Sequence, residues 1–296
     1  MTLRFDDPRL ELAVHAATTN PESLTHLHAR ELGIRRLGGI EQLAELRWLE
    51  LGRNPLASVA ELRANTRLRR LSLPYTATNT LRGLDGLAEL EDLDLYASRV
   101  LAIDELAGLP LRSLDLGLCI VPRLEALATM TRLESLTLGN PKLHVPRRTL
   151  YSDSDPLHLD IGPIKQLGSL RQLRLYRLRL PSVRVLEQLV GLEELVLEGC
   201  TFGDRLRQLP DLPRLELLSL AECELPDLDA LASLPRLRAL ILDEAKVTDL
   251  EPLLGCTALE QLSLRNVELG DRRSLDRLSE HPRLFELRFE NRLMPI

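Results

Sequence analysis

One spacing governs this chain. The pattern Leu-x-x-Leu-x-Leu recurs with its first leucine at Leu24, Leu46, Leu68, Leu90, Leu111, Leu133, Leu170, Leu192, Leu215, Leu237, Leu259 and Leu284. Most steps are 22 residues, the exceptions being 21, 23, 25 and 37, and the longest marks an insertion. Within a unit, the alternation around Leu49 and Leu51 is the period-two signature of a short strand. Beyond it Leu56, Val59, Leu62 and Leu68 fall at threes or multiples of three, which suits a 3-10 or helical return. A single unit cannot bury its leucines, because both its flanks are apolar; stacking closes them, and several units are needed for stability.

The run LRWLELGRNPL, Leu46 to Leu56, resembles the leucine-rich-repeat consensus, and the 22-residue period resembles the internalin-like subclass, from about Pro21 to Asn291. The resemblance implies an α/β, right-handed leucine-rich-repeat solenoid. In such a fold a parallel sheet of about twelve short strands lines the concave side, the convex side is helical or 3-10, and the usual role is protein binding. The expected organisation is an N-terminal cap over 1–23, repeats over 24–283 with an inserted loop at about 144–163, and a C-terminal repeat or cap over 284–296. In this family the ninth repeat position is usually asparagine, whose side chain satisfies backbone groups at the turn. Here the occupants run Asn54, Thr76, Ser98, Cys119, Pro141, Leu178, Cys200, Cys223, Ala245 and Val267. The polar ladder fades toward the C-terminus, so those turns are expected to find other partners, such as water. Cys119, Cys200 and Cys223 share that slot and Cys256 takes a leucine slot, so all four read as small buried core residues.

Bulk properties narrow the function. The net charge of -6 argues against a surface built to neutralise many phosphates. Aromatic residues make up only 3% against 44% hydrophobic, so the core must be aliphatic. No stretch reaches signal-peptide or membrane-helix length, which leads to the expectation of a cytoplasmic protein with no membrane contact. At the ends, Asp7-Pro8 followed by Leu10, Val14 and Ala17 reads as a capped helix with one apolar side. Glu286, Arg288 and Glu290, alternating with Leu287 and Phe289, read as charges that blunt the last strand edge.

Across the repeats the third position runs His26, Trp48, Arg70, Asp92, Ser113, Ser135, Gln172, Glu194, Leu217, Ala239, Gln261, Glu286, and the fifth runs His28, Glu50, Ser72, Asp94, Asp115, Thr137, Arg174, Val196, Ser219, Ile241, Ser263, Arg288. These rows face away from the leucines and mix both signs of charge. Trp48, Tyr75, Tyr96 and Tyr176 project from the strands or their ends, as binding anchors do. Val196, Leu217, Ala239 and Ile241 form an apolar cluster rimmed by Glu194, Glu198, Glu222 and Asp243. Arg171, Arg174 and Arg177 surround Tyr176, where they could grip an anion or simply balance the acidic next repeat. The candidate partner-binding set is therefore Trp48, Arg70, Tyr75, Asp94, Tyr96, Asp115, Arg174, Tyr176, Val196, Leu217 and Ile241.

Phosphate-cradling glycine loops, His-Glu-x-x-His and Cys-x-x-Cys are absent from the sequence, and no cofactor is expected. His26 and His28, with Glu50 on the neighbouring strand, are the nearest thing to a metal set. Asp94 and Asp115 sit on adjacent strands, but a wide, wet groove is a poor place to raise a carboxyl pKa. The reading is a non-catalytic module for another protein; the alternative is a metal-dependent hydrolase using the insertion or His26 and His28.

Overall fold

The structure, a computed structural model, describes residues 3–139, 159–290 and 292–294. The chain forms two compact units, Met1–Pro146 and Arg147–Ile296. The insertion expected at about 144–163 lies outside the described residues up to position 158. From there Leu159 and Ile161 are buried again.

In the first unit, helix α1 (Pro8–Ala17) precedes six strands: β1 (His26–His28), β2 (Trp48–Glu50), β3 (Arg70–Ser72), β4 (Asp92–Asp94), β5 (Ser113–Leu116) and β6 (Ser135–Gly139). They pair in sequence order, all parallel, and the register aligns Leu27, Leu49, Leu71, Leu93, Leu114 and Leu136. Pairing at a step of one repeat repeats the leucine spacing in space, so each leucine meets its counterpart above and below. All six are nearly or completely buried. Burial on that scale is worth ~1.5–3 kcal/mol per leucine and drives the stacking.

The return segments explain the spacing of three. Leu62 N–H donates to the Val59 carbonyl, Asn65 N–H to Leu62 and Leu68 N–H to Asn65, a chain of three-residue turns around the 3-10 segment Ala60–Ala64. Side chains three apart eclipse in such a turn, so Val59, Leu62, Asn65 and Leu68 all point inward and are fully buried. Asn65 is tolerated because its Nδ2 donates to the carbonyls of Ile40 and Leu43, at 3.1 and 2.9 Å.

Helix α1 begins as expected, with the Asp7 side chain accepting from Arg9 N–H and proline in the first turn. Its buried side is Leu10, Ala13 and Val14, and Ala17 is exposed. The apolar side is therefore shorter along the helix than the sequence suggested: it ends at Val14, and Ala13 rather than Ala17 completes it.

The second unit carries β7 (Gln172–Tyr176), β8 (Glu194–Glu198), β9 (Leu217–Ser219), β10 (Glu224–Leu225), β11 (Ala239–Ile241), β12 (Lys246–Val247), β13 (Gln261–Leu264), β14 (Glu268–Leu269), a short helix α2 (Arg273–Arg277), β15 (Glu286–Phe289) and β16 (Arg292–Met294). The main sheet runs β7-β8-β9-β11-β13-β15 in parallel. The outer edge of β15 is not left to its charges: β16 pairs with it antiparallel. Main-chain pairing thus covers an edge that the alternation of Glu286, Arg288 and Glu290 was expected to blunt.

The turn after each strand has a fixed backbone. The eighth position is left-handed at Glu31, Arg53, Tyr75, Ala97 and Leu118 in the first unit and at Arg177, Gly199, Glu222, Glu244 and Asn266 in the second. Most are not glycine, so each carries the strain of a non-glycine left-handed residue, ~1 kcal/mol. What holds them is the sheet itself: Arg53 N–H donates to the Pro74 carbonyl of the next coil, Tyr75 to Tyr96 and Glu222 to Asp243.

Turn closure then passes from side chains to main chain. Asn54, fully buried, accepts from the N–H groups of Leu32 and Ile34 and donates to the carbonyls of Ala29 and Leu51. Thr76 and Ser98 both donate to the Leu73 carbonyl. The thiols of Cys119, Cys200 and Cys223 donate to Leu95, Leu175 and Leu197, at 3.0, 3.3 and 3.0 Å. Further on, β10, β12 and β14 form a second parallel sheet, in which Lys246 N–H meets the Cys223 carbonyl and Glu268 N–H the Ala245 carbonyl. These turns find another partner in main chain: Cys223 N–H donates to the Leu220 carbonyl and Ala245 N–H to the Leu242 carbonyl, the position that Asn54 serves at Leu51.

Candidate functional site

Because the register is one repeat per strand, the third and fifth positions form real rows. His26, Trp48, Arg70, Asp92, Ser113 and Ser135 are successive partners in the first unit, and Gln172, Glu194, Leu217, Ala239, Gln261 and Glu286 in the second.

In the first unit Trp48 lies edge-on to two imidazoles, His26 at 5.7 Å and His28 at 5.3 Å between ring centroids. The Arg70 guanidinium sits 5.6 Å from the Trp48 ring centre and is held there by Asp92 at 2.7 Å. At the far ends of the strands Tyr75 and Tyr96 meet at 5.4 Å, also edge to face, and Arg53 covers the Tyr75 ring at 4.8 Å. Tyr75 is 43% exposed, and Trp48 and Tyr96 are half-buried. Rings fixed by neighbours but open to water lose little entropy on binding and offer large apolar area.

His26 and His28 are the nearest thing to a metal set in the sequence. Here His28 Nδ1 bonds Glu50 at 2.9 Å, His26 Nδ1 bonds Thr25 Oγ1 at 2.8 Å, and both rings pack on Trp48. Among the described residues no group of three or more His, Cys, Asp or Glu side chains is placed to hold a metal. Arg53 was missed by sequence reasoning. It stands one repeat before Tyr75 in the eighth row, where no residue type marks the contact.

Asp94 and Asp115 are register partners, yet both are engaged in their own turns. Asp94 accepts from Tyr96 N–H and the Ser72 hydroxyl, each at 3.0 Å, and Asp115 accepts from Gly117 N–H at 2.7 Å. They fasten the strand ends on which the tyrosines stand.

In the second unit the arginines near Tyr176 are all paired: Arg171 with Glu193, Arg174 with Glu194 at 2.8 Å, and Arg177 with both oxygens of Glu222 at 3.1 and 2.8 Å. The balanced face is what forms, with Glu222 rather than Glu198 as the partner of Arg177. Burial pushes the Glu198 carboxyl up; the charges of Glu222 and Glu244 add to this, and Arg177 opposes it. Val196 is only 9% exposed, flanked in register by Arg174 and Ser219, so it is floor rather than surface. Leu217, Ala239 and Ile241 remain half-buried and line an open depression.

No protein-family model matches the sequence, and the comparison with curated proteins finds no match. Solved structures do match. An internalin (inlF) from Listeria monocytogenes superposes with a TM-score of 0.76 at 21% identity, over 96% of this chain and 91% of that one. The functional domain of InlJ from the same organism, described as including a cysteine ladder, gives 0.70 at 19% identity over 98% of this chain and 63% of that one. A leucine-rich-repeat protein of Leptospira interrogans gives 0.62 at 22% identity over 90% and 72%. At these identities the likeness is one of fold. Parallel strands stepping by one repeat, 3-10 returns and these superpositions together give the chain the leucine-rich-repeat fold in its internalin-like form.

Proposed function

We propose that the chain is a non-catalytic interaction module that holds a partner protein on the exposed face of its sheet, with the main contacts in the first unit at Trp48, Arg70, Tyr75 and Tyr96. The observation that carries this is the set of partly exposed rings braced by their neighbours: Trp48 between His26, His28 and Arg70, and Tyr75 between Arg53 and Tyr96. Aromatic and arginine side chains fixed in this way are the usual centres of protein recognition. Mixed charge along the same rows, with Arg70, Asp92 and Asp94 side by side, suits a polar protein surface better than a polyphosphate.

The test is site-directed photo-crosslinking in native cells. A crosslinker at Tyr75 is expected to yield a discrete adduct that Trp48→Ala together with Tyr96→Ala removes. One at Arg63, exposed on the return side, is expected to yield none. Adducts from Arg63 but not from Tyr75 would move the contact to the opposite side and refute the assignment.

A further inference from the structure

We propose that the second unit carries a separate docking site for the carboxyl-terminal end of a partner polypeptide whose last side chain is aliphatic. The depression there has a volume of about 240 Å³ and spans β9, β11, β13 and β15. Its floor is Leu217, Ala239 and Ile241, whereas the same rows carry Gln172, Arg174 and Glu194 on β7 and β8 and Glu286 and Arg288 on β15. Three adjacent half-buried apolar side chains on a sheet face otherwise lined by polar and charged groups leave area that an aliphatic group would cover.

The charges around this floor differ in how far they are committed. Glu286 accepts from Arg288 at 2.7 Å, so that pair satisfies itself. Asp243 Oδ1 accepts from the Ser263 hydroxyl at 2.6 Å and from Arg265 N–H at 3.0 Å, which ties the carboxylate into the turn. The Arg265 guanidinium lines the depression, half-buried, and makes no hydrogen bond or ion pair among the described residues. Neither Asp243 nor Glu290, which follows β15 in the next coil, forms an ion pair with it.

A half-buried guanidinium with free donors beside an apolar floor is matched by a carboxylate with an aliphatic group attached close by. The end of a polypeptide supplies both within one residue. The space admits one aliphatic side chain and a chain end.

This inference shares with the proposed function only the class of partner, and it uses none of the Trp48 face. The test is fluorescence anisotropy with the full chain and a fluorescein-labelled hexapeptide ending in leucine with a free carboxylate. Binding is expected to weaken roughly tenfold or more when the peptide is amidated, when it ends in glycine, and in the variants Arg265→Gln and Ile241→Ser. Trp48→Ala with Tyr96→Ala is expected to leave it unchanged, so loss of the Tyr75 adduct and loss of peptide binding are separate results. Circular dichroism confirms that each variant is folded. No binding of the free-carboxylate peptide at about millimolar concentration, or equal binding of its amide, overturns the proposal. So does displacement by octanoate at the peptide's own concentration, which would make this a pocket for simple amphiphiles.

Discussion

Replacing Asn54 with alanine removes four hydrogen bonds at once. The carboxamide is 1% exposed. It accepts from Leu32 N–H at 3.1 Å and Ile34 N–H at 2.9 Å, and donates to the carbonyls of Ala29 at 2.7 Å and Leu51 at 2.8 Å. Leu32 lies at the surface, where water can replace the lost acceptor. Ala29, Ile34 and Leu51 are 0% exposed, so one amide and two carbonyls are left buried and unmatched. At ~1–3 kcal/mol for each such group, less what local relaxation and an entering water recover, we expect a loss of ~3–5 kcal/mol. Urea titration followed by circular dichroism gives the change from the midpoint and slope, and amide exchange at Ile34 reports whether the opening is local. Cys223→Ala is the comparator, since it removes one weak donor to the Leu197 carbonyl and a small volume, for ~1 kcal/mol. If Asn54→Ala lowers the midpoint no more than Cys223→Ala does, the claim that a side chain closes this turn is wrong.

Three further outcomes follow from the geometry. Burial by itself would push the Asp7 carboxyl up, but N–H groups of Arg35, Arg9, Arg36 and Leu10 outweigh it and hold it below the ordinary value of 3.8. Its stabilisation is thus complete above that value and lost as pH falls through the lower, folded one. Asp7→Asn should lower the Tm at neutral pH, with the gap to wild type closing in acid; a gap that does not narrow as the pH falls below 3.8 contradicts this. Trp48 is the sole tryptophan, so its emission reports on the two imidazoles beside it. The double variant His26→Gln with His28→Gln removes both rings that pack on the indole and should shift the emission maximum, and an unchanged spectrum refutes the packing. Burial pushes the thiols of Cys119, Cys200 and Cys223 up to about 12 and that of Cys256 to about 11. Iodoacetamide at about pH 8 should therefore label the folded chain only as fast as it unfolds, and fast labelling without denaturant would show the thiols accessible.

Much of the strand face was legible because leucine spacing and strand register are the same quantity. Once Leu27, Leu49 and Leu71 align, His26 must lie beside Trp48 and Asp94 beside Asp115. The closure of the turns was harder to foresee, since a thiol at Cys200 donating to the Leu175 carbonyl leaves no pattern distinct from a buried cysteine. The second sheet, β10, β12 and β14, was invisible for a deeper reason: its bonds join main chain to main chain, and Ala245 or Val267 neither announces nor forbids them. The site was legible in its residues and not in its contacts. Arg53 over Tyr75 depends on the left-handed backbone at both positions, and no residue type there signals it.

Where Asn54 closes a turn, the repeat depends on one amide side chain of the right length, and its loss is felt by the whole coil. Where the main-chain N–H of Cys223 or Ala245 closes it, any residue with an N–H will serve. Coils of the second kind can be duplicated, shortened or re-lettered with little regard for that slot. The later half of this protein is thus the part in which a lineage could change the length of the array while keeping it folded.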